Sequence, residues 1–157
     1  MRHTLILTAF FSVLIFVGCQ SPEPKDTDVP IVQTALTEQQ AELIINLTSN
    51  VKEAPESSLM ALHFALKARE NDIPVTVFLN VQGVHLSSTA SRDIVFNDEN
   101  LQDIIRQITE TGGKVVACPM CMKVQGISEE DLMEGVQVSS PGWMMQKLRE
   151  NPTVFTY

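Results

Sequence analysis

Basic residues are scarce in this chain of 157 residues. Eleven lysines and arginines stand against nineteen aspartates and glutamates, for a formal net charge of −8. That balance argues against a phosphate-binding surface, and so against a nucleic-acid partner. It also argues against electrostatic attraction to anionic lipid, so any membrane attachment has to be hydrophobic or covalent. Cysteine is limited to three residues, only two of them close together. With no second pair, a four-cysteine zinc site cannot be built. Neither a Walker loop nor a G-x-G-x-x-G turn is present, so nothing supports nucleotide binding. Internal repeats are absent. The hydrophobic share of 44% nevertheless suffices for a core, and the length allows one domain.

The longest apolar run, Leu5 to Val17, follows the short polar start Arg2-His3. It falls short of the roughly 20 residues that span a bilayer and suits the hydrophobic region of a signal peptide. Phe16-Val17-Gly18-Cys19 then resembles the lipobox of bacterial lipoproteins, with Phe16 where leucine is usual. The resemblance implies a signal peptide over residues 1–18, removal before Cys19, and diacylglycerol on the Cys19 sulfur with acylation of the new amino terminus. Gln20 in place of aspartate after the cysteine favours the outer over the inner membrane, the domain facing the periplasm. The alternative is an uncleaved anchor helix with Cys19 a passive thiol. Residues 19–37 form the lipidated cysteine and a tether rich in proline, acidic and small polar residues, with neither helical nor strand period.

Residues 38–157 alternate between two patterns. Strands are expected over Ala41–Leu47, Val75–Val81, Val115–Cys118, Val136–Val138 and Thr153–Thr156. Helices are expected over Pro55–Glu70, with Leu59, Leu62, Leu66 and Phe64 or Ala65 inward, and over Asn100–Thr111, closed by Gly112-Gly113. Two more are expected over Ser128–Glu134 and Pro141–Glu150. This alternation predicts an α/β fold: an open, mainly parallel five-stranded sheet with helices on both faces, a Rossmann-like three-layer arrangement. Sites in such folds lie beyond the carboxyl ends of the strands.

Cys118-Pro119-Met120-Cys121 sits at one such end and is the only C-x-x-C. Free backbone N–H groups where a loop enters a helix can stabilise a thiolate and so make a nucleophile. Three readings follow. Cys118 carries a sulfane sulfur as a persulfide, or the pair cycles between dithiol and disulfide. Alternatively Cys118, Cys121 and Met120, with Met122, offer soft ligands suited to copper(I). The third reading is a stabilising disulfide, which an oxidising compartment favours.

Gly113-Lys114-Val115-Val116-Ala117-Cys118, with Gly126-Ile127 beyond it, resembles the DsrE/DsrF-like family of sulfur-relay proteins, in which a strand ends in a cysteine. Phe78 to Val84 (FLNVQGV), Ala54-Pro55 opening a helix, and Leu132 to Val136 leading into a strand extend the resemblance over most of the domain. It implies that Cys118 is the sulfur-accepting cysteine, with Cys121 an additional thiol of part of the family. It further implies a carrier or transferase-like protein needing no cofactor, an unidentified sulfur donor or acceptor protein, and a homo-oligomer. Gln125 stands where a basic residue is common in the family, and only Lys123 is near.

Among other candidates, His85 follows the turn after the second strand and could serve as base or metal ligand, although a solvated loop histidine is the plainer reading. Asn50 and Ser49 follow the first strand and could line the same mouth. His63, within a helix, is set aside. Trp143, Met144 and Met145 read as core or oligomer interface, and Glu129, Glu130 and Asp131 as first-turn helix charges.

Overall fold

The computed structural model describes residues 41–157. The segments expected as signal peptide (1–18) and as lipidated cysteine with tether (19–37) lie outside the described residues. In chain order the elements are β1 (Leu43–Leu47), α1 (Pro55–Glu70), β2 (Val75–Leu79), two 3₁₀ turns (Gly83–Ser87 and Thr89–Ser91), and the short strands β3 (Val95–Phe96) and β4 (Glu99–Asn100). Then come α2 (Leu101–Glu110), β5 (Lys114–Ala117), α3 (Pro119–Gln125), a 3₁₀ turn (Glu129–Asp131), β6 (Val136–Val138), α4 (Trp143–Arg149) and β7 (Thr153–Thr156).

Strand alternation explains the layers. Leu43, Ile45, Leu47, Val75, Val77, Leu79 and Val115 point to one face and join the main core. Ile44, Phe78 and Val116 point to the other and form a smaller cluster. Both faces of the central strands are therefore apolar, as a covered parallel sheet requires. The five strands are all parallel, in the order β6-β5-β2-β1-β7, and β3-β4 forms a separate antiparallel pair. The expected five-stranded α/β sheet is what the chain forms.

The main face is covered by α1 and α2. From α2, Leu101, Ile104, Ile105 and Ile108 are buried at helical spacing, each worth about 1.5–3 kcal/mol on leaving water. Asn100 caps its start, its side chain accepting from the N–H groups of Gln102 and Asp103. At its end Gly112 N–H donates to Thr109 O and Gly113 N–H to Ile108 O, a Schellman stop. In α1 the buried face is Leu59, Leu62 and Ala65. Phe64 turns outward and meets Phe155 of β7 edge-on at 5.2 Å between centroids. On the second face Trp143 of α4 lies against Phe78, centroids 5.3 Å apart.

Three expectations are corrected. Ser128–Glu134 is not a helix. The capping box between Ser128 and Asp131 forms, but after one 3₁₀ turn Met133 N–H donates to Ser87 O and Leu132 bridges Ser88. Strand-like pairing thus outcompetes helix extension there. The second strand stops at Leu79, because the backbone turns left-handed at Val81. The residues after Cys118 form the helix α3, beyond a strand that ends at Ala117.

Candidate functional site

The backbone brings Cys118 to the carboxyl edge of the sheet and holds it there. Its N–H donates to Leu79 O at 2.9 Å, so β5 stays joined to β2 up to the thiol. Pro119, which needs no amide partner in a first turn, then starts α3. One turn later Cys121 lies on the same side of the helix as Cys118. Gly126, at φ 69°, ends α3, and Ile127 N–H donates back to Met122 O at 2.9 Å.

Both cysteines are free thiols, each half-buried, and they sit three residues apart at the start of α3. The Cys121 sulfur also accepts the backbone N–H of Val81 at 3.1 Å. Burial pushes the Cys121 thiol up, and the contact with Cys118 adds to this, while the Val81 N–H opposes it. Cys121 is therefore held protonated at neutral pH.

Val81 is the residue that the sequence reading missed. A β-branched side chain at φ 51° is a backbone outlier costing about 1–3 kcal/mol. The surrounding loop holds it in place. Asn80 N–H donates to Leu47 O at 3.0 Å, and Gly83 N–H to Thr48 O at 3.2 Å. Only glycine fits at 83, since a Cβ there would come within 2.2 Å of Leu47 O. No residue-type signal marks Val81, because valine ordinarily reads as strand. The nearby Gly83 was the available hint.

Val81, Met120, Cys121, Val124 and Gln125 line a pocket of about 230 Å³. Its walls are apolar apart from the Gln125 amide, and no charged side chain contributes. Another hollow of about 310 Å³, between Arg106, Thr109, Glu110, Glu134 and Gly135, carries no thiol or imidazole.

The other expected site residues are placed as follows. His85 reaches α3, its Nε2 lying 3.0 Å from Gln125 Oε1, so it braces the pocket wall and does not touch sulfur through that bond. Asn50 Nδ2 donates to Gln82 Oε1 at 2.7 Å and ties the loop after β1 to the loop after β2. Lys123 is exposed on α3 and is not among the pocket-lining residues. Met120 is 75% exposed on the pocket rim, whereas Met122 is 3% exposed and packs with Val84 and Ala117. Met120 thus shares the pocket surface with Cys121, whereas Met122 is buried in the cluster against which Cys121 packs. Among the described residues, no three His, Cys, Asp or Glu side chains gather as a metal site. His63 pairs with Glu99 on the surface at 2.8 Å.

Residues 43–157 match the model of the DsrE/DsrF-like family. The chain belongs to the DsrE/DsrF-like family. Uncharacterized protein MK0008 of Methanopyrus kandleri is 33% identical over 116 residues, which cover 71% of this chain and 93% of that one. Uncharacterized protein MJ0989 of Methanocaldococcus jannaschii is 29% identical over 116 residues, 72% of this chain and 100% of that one. Among solved structures, the ychN protein from E. coli superposes with a TM-score of 0.66 at 21% identity, covering 74% of this chain and 99% of its own. This last likeness is one of fold. The DsrE/DsrF-like match takes in β1 to β7 and so both cysteines of the pair.

Proposed function

We propose that this domain carries or relays sulfane sulfur on Cys118, with Cys121 as its partner thiol. The observation that carries the reading is the neighbouring pair of free thiols at the carboxyl end of β5, one of them holding the Val81 N–H, in a DsrE-like fold. In the loading step the Cys118 thiolate attacks the outer sulfur of a persulfide donor. The donor's S–S bond breaks, its thiolate leaves, and Cys118 retains a persulfide, so sulfur moves with no net oxidation. Cys121, held protonated, supplies a proton to the departing thiolate. Lipid on Cys19 anchors the domain to the periplasmic face of the outer membrane, or of the inner one. The motivation for the anchor is the Gly18-Cys19 junction behind a short apolar run. Among the described residues no helix is long and apolar enough to cross a membrane.

Intact-mass measurement under non-reducing conditions, after exposure to a persulfide donor, tests the loading step. A gain of about 32 Da marks bound sulfur, about 63 Da copper, and a loss of about 2 Da a disulfide. The expected result is the gain of one sulfur, abolished in Cys118→Ser and retained in slower form in Cys121→Ser. Loading that survives Cys118→Ser undiminished would refute the assignment of roles.

A further inference from the structure

The pocket beside the thiols carries information about the donor that the thiols alone do not. Its lining residues Val81, Met120 and Val124 are 54%, 75% and 76% exposed, an unusual concentration of solvent-facing apolar side chains around one sulfur. No lysine or arginine lines it, although both a thiosulfate dianion and a carboxylate-bearing thiol would call for one. The protein's net charge of −8 opposes such anions further. A volume of about 230 Å³ suits a small substituent and not a large one.

We infer that this pocket selects a low-molecular-weight persulfide whose carbon substituent is small, apolar and uncharged, and that it places the donor's leaving sulfur over Cys121. The inference rests on the sulfur-carrier reading and specifies its substrate class. With the substituent R between Val81, Met120 and Val124, the inner sulfur of R–S–SH lies beside the Cys121 thiol. The outer sulfur is then presented to Cys118, which caps the start of α3 one turn before Cys121. The Cys118 thiolate bonds to the outer sulfur, the S–S bond breaks, and RS⁻ takes the Cys121 proton and leaves as RSH. The proton of the new Cys118 persulfide returns to Cys121, which resets the pair. Val81 takes part through its backbone, because its left-handed turn aims the N–H at Cys121 and fixes that sulfur at the pocket floor.

The test compares loading of the purified protein by benzyl persulfide and by glutathione persulfide, each rate divided by that for free cysteine. Wild-type protein should favour benzyl persulfide by at least about tenfold, the discrimination expected of an apolar pocket. Val124→Lys should slow benzyl persulfide by about tenfold and accelerate glutathione persulfide, a reversal that an unfolded variant would not show. Equal normalised rates in wild type, with Val124→Lys silent, would overturn the inference while leaving the carrier reading intact. Failure of both donors to load Cys118, with free cysteine reacting normally, would defeat the carrier reading itself. A change in particle mass on Val124→Lys, measured by light scattering, would also overturn the inference, because the patch would then be a contact between copies of the chain.

Discussion

Val81 concentrates the tension between stability and chemistry in a single residue. A valine at φ 51° costs about 1–3 kcal/mol, and glycine adopts the same backbone freely. Replacing valine by glycine also enlarges the unfolded ensemble, at a cost of about 0.4–1 kcal/mol. Because Val81 is more than half exposed, little burial is lost. Val81→Gly should therefore stabilise the domain by about 1 kcal/mol in denaturant unfolding, while Val81→Ala, still strained, should not. A destabilised Val81→Gly would show that the side chain, and not the strain, dominates at this position. The cysteine pair was legible in the sequence because two thiols three residues apart have few uses. Val81 was not legible, because a left-handed turn is imposed by the packing of Gly83 on Leu47 and not by the valine itself. The two methionines show the same limit. Composition grouped Met120 with Met122, and only the helical turn of α3 separates a rim residue from a core residue.

Among the elements, α4 depends most on its neighbours. Seven residues are too few to hold a helix alone, and none of them is fully buried. It is tied down by Trp143 on Phe78 and by Lys147, whose Nζ sits 2.8 Å from Glu42 Oε2 just before β1. Burial tends to raise the Glu42 carboxyl. The hydrogen bonds from Lys147 and Thr76, with the lysine charge, outweigh it and hold Glu42 below the usual carboxylate range. Because the folded value is depressed, its contribution to stability is complete above about pH 5 and lost as pH falls through the folded value. Trp143 is the only tryptophan, so its emission reports on α4 directly. Acidification should shift that emission to the red in the wild type. Glu42→Gln should abolish this acid-dependent step and lose about 1–2 kcal/mol at neutral pH. An acid transition unchanged in Glu42→Gln would place the pH sensitivity elsewhere. The element scale is also where sequence reading was strongest, since five strands and the two long helices follow from periodicity. It overreached at Ser128, where a sound capping box led only to a 3₁₀ turn because the backbone found sheet-like partners at Ser87 and Ser88.

At the scale of the whole molecule, the parallel sheet was legible because strand and helix patterns alternate strictly, and both faces of the inner strands are apolar. Whether the molecule meets a membrane is a separate question, and charge narrows the answer. At −8 the chain has no basic excess to bind anionic lipid, and the described residues offer no spanning helix. The anchoring proposed for this chain then rests on residues 1–19. If the apolar run Leu5–Val17 is a signal region, Cys19 becomes the amino terminus and carries several acyl chains. Together these give stable anchoring where a single chain gives only a marginal constant of about 10⁴ M⁻¹. If the run is an uncleaved anchor, Cys19 is dispensable. Cys19→Ser separates the two. We expect it to abolish incorporation of labelled fatty acid and to leave a precursor longer by residues 1–18, visible as a shift in intact mass. Sulfur loading at Cys118 should be unaffected, because Cys19 lies outside residues 43–157, which match the family and hold the Cys118 site. A Cys19→Ser chain that is still cleaved and still partitions fully with membranes would refute lipidation at Cys19 while leaving the chemistry of the Cys118 site untouched.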